Sequence, residues 1–417
     1  MHFPIRLCLV LCLLAGPTFA VSLTLEHVPV YALAHNPTLA AARLRIDEAR
    51  GRLRQSGRLT NPELELEFSH NTTAPEGALA LSLMQKFPLT SRLRLERAVS
   101  RAQLAAAEAE VHDVERKTIA LVRTAAVRVL ALSGQHAVRA KQLANSREIA
   151  TFTRKRLETG EASAADAEQL DLDAHVLETE MLQLGLERVA LLGELRPLLG
   201  VPAEEPLEIR GELAAPSPPA ASGGIRSRPD FEAAQHTAAA ARATAALARA
   251  QKWEDIGIGI TAQRQREEDA PEGRTTEDFV GLRLSVPLPL WNTSSGRAQE
   301  AAAAAARAQK ETDALAATIA AEASAARNEM RLLAELLGKL DATLLPHATQ
   351  IEERLRQSYA TGQTALTDVL RGRDRRLLLE RQRLDALRDY HLARVRHNAA
   401  IGPGVRSAIT TTSRSGK

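Results

Sequence analysis

Cysteine is almost absent. The two present, Cys8 and Cys12, both lie within the first 20 residues. The rest of the chain can therefore form no disulfide, thiolate metal site or thiol nucleophile. Aromatic residues make up 3% of the 417 positions, while Ala, Leu, Arg and Glu dominate. That mixture favours long helices packed through small side chains. Neither sign of charge prevails, with 54 Lys and Arg against 51 Asp and Glu. The signs are interspersed, so no basic stripe points to nucleic acid. After the N-terminus there is no run of about 18 apolar residues, which excludes a membrane-spanning helix. There is no nucleotide-binding glycine loop, HExxH, GxSxG or credible triad, which argues against an enzyme and against a cofactor. The eleven histidines are scattered. His391 and His397 stand six apart, a poor spacing for one helical face, and read as surface residues. No metal ligation by the protein itself is expected.

The N-terminus carries a targeting segment. Arg6 precedes the apolar stretch Leu7 to Ala15, and Thr18-Phe19-Ala20 supplies the small residues of a cleavage site. Cleavage after Ala20 is predicted, with residues 1–20 as signal peptide. Val21 stands where a lipoprotein would need cysteine, so no lipid anchor is expected by this route. An exported chain of this kind can be soluble in the periplasm, secreted, or a β-barrel.

The chain is written twice. Asn36-Pro37 opens an apolar pattern in one half and Arg228-Pro229 in the other. Ala74-Pro75-Glu76-Gly77 recurs as Ala270-Pro271-Glu272-Gly273. Phe87-Pro88-Leu89 is echoed by Val286-Pro287-Leu288, Gly160 by Gly362, and Leu199-Gly200 by Ile401-Gly402. Each half reads helix, strand, strand, long helix, turn, helix. Leu39, Ala42, Ile46, Ala49 and Leu53 step by three and four, as do Phe231, Ala234, Ala238, Ala241, Ala245 and Ala248, giving seams of small residues. Proline is missing from Leu89 to Arg196. One helix from Ser91 to Glu158 would reach roughly 100 Å at 1.5 Å per residue. It turns near Gly160 and returns through Leu177, Met181, Leu184, Leu191, Leu195 and Leu198, a seam that Arg188 interrupts. Pro346 should loosen the second copy locally. The expected boundaries are repeats over 21–200 and 229–402, with β-hairpins at about 62–88 and 255–288 and helical tips at about 159–166 and 358–368. A Pro/Gly-rich linker covers 201–228, draped outside the helices. The Ser/Thr-rich tail 403–417 is expected to be disordered.

Glu63-Leu64-Glu65-Leu66-Glu67-Phe68 alternates charged with apolar residues. Leu79, Leu81 and Leu83 alternate with small or polar residues, as do Ile256, Ile258 and Ile260, and then Val280, Leu282, Leu284 and Val286. Each run has about the 9–11 residues that a tilted transmembrane strand needs. A soluble hairpin packed on one face is the plainer reading of each run alone. Four strands flanked by helices with no globular core change that reading. An open sheet in lipid would leave unpaired edges, which hydrocarbon does not tolerate. Closure then requires several chains. Two would give eight strands and a filled interior, and three would give twelve strands and a pore. The inner face would carry Glu63, Glu65, Glu67 and Arg283. Phe68, Phe87, Phe279 and Trp291 are the candidates for a thin aromatic girdle.

Asn36-Pro37 with Leu39, Asn61-Pro62 before the first strand, the Phe87-Pro88-Leu89 exit and the duplicated architecture resemble the TolC-like outer membrane factor family over essentially the whole mature chain. Asn61-Pro62-Glu63-Leu64 and the Pro/Gly-rich midsection look most like its CzcC-like heavy-metal branch. The resemblance implies a mainly α fold with membrane β-structure. It implies a homotrimer in outer-membrane lipid, with a twelve-stranded barrel continued by a periplasmic α-helical barrel. It also implies docking to an inner-membrane pump through a periplasmic adaptor protein. By the same resemblance Gly160 and Gly362 match the turns of the helical tips, where the adaptor docks. Asp166, Asp368 and Tyr359 match gate positions. Thr364 stands where the family has a gate-locking arginine and Arg371 where it has a second aspartate, so closure would use another ion pair, such as Arg371 with a nearby carboxylate. Asp166 and Asp368 can equally be read as helix N-caps. A wide polar tube fits metal cations, drugs or secreted proteins as cargo, making multidrug efflux or type I secretion the alternatives to metal export. A soluble periplasmic coiled-coil adaptor is the competing reading outside the membrane.

Overall fold

The computed structural model describes residues 21–73, 76–217, 224, 227–269 and 273–402. The expected signal peptide and C-terminal tail lie outside them. The first half contains β1 (Val21–Thr24), α1 (His27–His35), α2 (Pro37–Gln55), β2 (Glu63–His70), β3 (Gly77–Phe87), α3 (Arg92–Glu158) and α4 (Ala164–Leu199). The rest contains β4 (Leu207–Arg210), α5 (Pro229–Ala250), β5 (Ile256–Asp269), β6 (Gly273–Ser285), α6 (Ser295–Lys339), a π-turn (Leu340–Leu344), α7 (Leu345–Ala360) and α8 (Leu366–Ile401). The chain is thus mainly helical, with one strand pair inserted into each of two similar halves. Two compact units result, and each takes pieces from both halves. One comprises 1–40, 115–222 and 321–417, and the other 41–114 and 223–320.

The first unit is built on small and branched side chains. Val28, Ala32, Val122, Ala126, Leu195 and Leu199 are buried together. Asn36 explains the motif that opens the repeat. Its Oδ1 accepts from the Leu39 amide at 2.8 Å, capping α2, while Nδ2 donates to the Leu198 carbonyl at 2.8 Å and so ties down the end of α4. Pro37 follows as the first helical residue, where its missing N–H costs nothing. Gly200 ends α4 at φ +67°, and a Cβ there would sit 2.3 Å from the His35 carbonyl oxygen. Only glycine fits that left-handed close approach. Pro346 removes the donor that an α-helix would aim at Ala342. The backbone instead widens, and the Leu345 amide reaches Leu340 to close a π-turn.

The segment 201–228 is more than a drape. Within it β4 pairs in parallel with β1, Val21 to Leu207 through Thr24 to Arg210, and buries Leu207 and Ile209 in the core. Further along, the Ser217 amide donates to the Tyr390 hydroxyl at 3.1 Å, and that hydroxyl donates back to the Ser217 carbonyl. His391 Nε2 donates to the Ala214 carbonyl at 2.8 Å. This overturns the surface reading of the two late histidines. His391 and His397 are 1% and 2% exposed. Spacing along α8 could not reveal this, because the linker covers His391 from outside the helix. Burial first, and then Arg394 beside His391 and Arg327 beside His397, hold both rings below their ordinary value of 6.5. A folded-state value below the unfolded one means that the unfolded chain binds more protons. The stability is present above about pH 6.5 and is lost as pH falls through the lowered values. The melting temperature should therefore drop between pH 7.5 and 5. A His391→Gln, His397→Gln variant should show a shallower drop, and equal slopes would refute the assignment.

In the second unit, Ala233, Ala238, Ala240, Ala245 and Ala248 of α5 are buried, a face rotated slightly from the seam read in the sequence. The alanines allow close helix approach: Thr312 Oγ1 on α6 lies 3.4 Å from the Ala234 carbonyl. The sheet has strand order β2-β3-β5-β6, and every neighbouring pair is antiparallel. The hairpins of the two halves therefore pair with each other through β3 and β5. At the base of the sheet Arg92, in the first turn of α3, clamps Asp255 just before β5 at 2.5 Å.

Candidate functional site

The register sorts the sheet into two faces. Glu63, Met84, Gly259 and Arg283 form one row across the four strands. Successive side chains alternate, so Glu65, Glu67, Ser82, Thr261 and Gln263 share that face. All four polar positions singled out in the sequence, Glu63, Glu65, Glu67 and Arg283, thus lie together. Lys86 Nζ approaches Glu63 at 2.7 Å, and the Ser82 hydroxyl donates to Glu65 at 3.3 Å. The opposite face presents the row Leu64, Leu83, Ile260 and Leu282, then the row Leu66, Leu81, Ala262 and Val280. All of these side chains are exposed among the described residues. Leu64 and Leu66 are 68% and 67% exposed, Leu282 and Val280 86% and 87%. Toward the hairpin turns this apolar band ends at a paired Arg264 and Asp278, 2.7 Å apart and level with Phe68 and Leu79. Phe279 is a correction. It pairs with Gln263 in the row of Glu67, so it belongs to the polar face and not to an outer girdle. Phe68 and Phe87 fall on the apolar face. Trp291 lies beyond β6 and is exposed.

Both edge strands, β2 and β6, lack a second neighbour among the described residues. In water, a face with this many exposed leucines beside two open edges would aggregate.

The helical tips repeat one another. Gly160 (φ +76°) and Gly362 (φ +75°) each end a helix in the left-handed conformation. The following amides reach back alike, Glu161 to Arg156 at 2.7 Å and Gln363 to Ser358 at 2.9 Å. Asp166 and Asp368 are not the capping residues. Ser163 caps α4 by accepting from the Ala165 amide at 3.1 Å, and Ala365 holds the same place on α8 without a side-chain cap. Both aspartates sit half-exposed in the first turn, where the helix dipole favours negative charge. Arg371 finds its carboxylate in its own helix, Asp368 at 3.4 Å. Tyr359 is buried in the tip core with Ala150, Leu170, Leu366, Val369 and Leu370. Its hydroxyl lies 3.3 Å from that of Thr153, and the Arg156 guanidinium stacks 5.2 Å from its ring centre. Sequence reading missed Arg156, and it missed the pair Arg373–Asp173 at 2.7 Å, which joins the two tips. Partners 200 residues apart leave no local signal. Among the described residues no group of three His, Cys, Asp or Glu could hold a metal ion, and no helix is long and apolar enough to cross a membrane.

A family model described as outer membrane efflux protein matches residues 28–200 and again 225–402. No curated protein matches. Among solved structures the chain is similar to CusC, at 18% identity and TM-score 0.76 over 93% of this chain and 94% of that one. It is similar to the outer membrane protein VceC of Vibrio cholerae, at 20% identity and TM-score 0.74 over 91% and 96%. It is also similar to the open-state outer membrane channel MtrE of Neisseria gonorrhoeae, at 17% identity and TM-score 0.72 over 91% and 89%. At these identities the likeness is one of fold.

Proposed function

Because the chain belongs to the outer membrane efflux protein family, we propose that it is the exit duct of a tripartite system exporting heavy-metal cations. As a family member it is an outer-membrane channel with a large periplasmic helical part, and not an enzyme. It works as a homotrimer with a periplasmic adaptor and an inner-membrane pump. The repeats are taken as 21–200 and 229–402, joined by 201–228 as an equatorial linker.

The observation that carries the duct reading is the sheet with one bare apolar face and two open edges. Four strands from each of three chains close a barrel of twelve. Lipid covers the leucine rows, and β6 of one chain completes β2 of the next. Glu63, Glu65, Glu67 and Arg283 then line the lumen with an excess of negative charge. At the helical tips Asp166 and Asp368 ring the aperture, with Arg371 as their counter-charge and Tyr359 bracing the tip from within. Gly160 and Gly362 offer the turns to the adaptor. Acidic rings favour cations, which supports a cation cargo, and the drive comes from the pump. Deleting the protein should lower growth on cobalt, zinc, cadmium or copper. Unchanged metal tolerance with new antibiotic sensitivity would reassign the cargo to drugs.

A further inference from the structure

In the first unit, the start of α1, the middle of α3, the linker and the end of α8 enclose a cleft of about 740 Å³. Arg123 of α3 and Arg394 of α8 both line it. Neither guanidinium has a hydrogen bond or an ion pair among the described residues. The third arginine of the lining, Arg210, is already held by Glu208 at 2.7 Å. Two carboxylates, Glu26 and Glu212, also line the cleft, but both are exposed, so solvent screens their pull. Burial holds the Arg123 guanidinium below its usual range, and repulsion from Arg394 adds to this. The pull of Glu26 in the other direction is smaller than either. His391, also in the lining, is kept neutral by burial and by Arg394, so the positive charge rests on the arginines.

Two half-buried guanidiniums lining one cleft, neither with an ion pair among the described residues, are costly unless an anion bridges them. A guanidinium presents a planar fork of donors that matches carboxylate and phosphate oxygens. We propose that this cleft binds a small oxyanion of the phosphate or carboxylate class between Arg123 and Arg394. The site joins α3, α8 and the linker through one shared ligand.

The test is calorimetric titration of the purified trimer in detergent with sodium phosphate, with sodium succinate, and with sodium chloride at matched ionic strength. Saturable binding of phosphate or succinate, with chloride silent, is the expected result, and the two arms tell which oxyanion the site prefers. Arg123→Gln and Arg394→Gln should each weaken that binding by about tenfold or more. Without the anion, each variant should melt no lower than the parent, since each removes the repulsion. Variants that bind as the parent does, or a chloride response equal to the phosphate response, would overturn the site. So would trimers that dissociate in both variants while the parent shows no anion dependence, because the guanidiniums would then serve a neighbouring subunit.

Discussion

Leu282→Arg should abolish the assembled trimer. Leu282 sits in the leucine row of the apolar face, next to Ile260, and is almost fully exposed in the single chain. An arginine facing hydrocarbon near the bilayer midplane costs about 2–4 kcal/mol. Three copies would cost about 6–12 kcal/mol, comparable to the whole stability of a typical domain. The control is Glu67→Arg on the opposite, polar face, which by the proposed lumen placement meets water and should leave assembly intact. Unheated gel electrophoresis of outer-membrane fractions reads the outcome as a trimer band lost in one variant and kept in the other. A normal Leu282→Arg trimer would mean that this face does not touch lipid.

The second large effect is expected at the tip. Asp166→Ala combined with Asp368→Ala removes two carboxylates per chain, six per trimer, and leaves Arg371 without the carboxylate it meets at 3.4 Å. If the two aspartates ring the aperture as proposed, its negative charge falls. Cation over anion preference in planar bilayers should fall several-fold, because ion selectivity at a narrow ring follows the charge of that ring. Neither residue supplies the helix cap, so the helices should hold their turns at Gly160 and Gly362. Single-channel traces identical to the parent would remove both aspartates from the gate.

What could be read in advance, and what could not, follows from the range of each interaction. Strand faces are a period-two property of neighbouring residues, so Glu63, Glu65 and Glu67 separate from Leu64, Leu66 and Phe68 by inspection, and pairing then adds Arg283. Phe279 was misplaced because it was judged by residue type. Its parity puts it with Arg283. The long helices are legible because an absence of proline is local information. The partners of the linker are not. Its composition reads as irregular, yet Leu207 and Ile209 pair with an N-terminal strand and Ala214 covers His391. At the tips the glycine turns announce themselves, while the Arg373–Asp173 bridge and the stacking of Arg156 on Tyr359 depend on how distant segments meet.

The join between β3 and β5 has a consequence for how the protein is made. Phe87 lies beside Ile256 in the finished sheet, so the ribosome adds 169 residues (256 − 87) before the first hairpin can meet its neighbour. Until then the nascent strands carry a sticky edge past the export machinery and its chaperones, and pairing at such a distance is slow to form. A message cut short near its midpoint would yield no half-sized working product, only a fragment for the periplasmic proteases to clear.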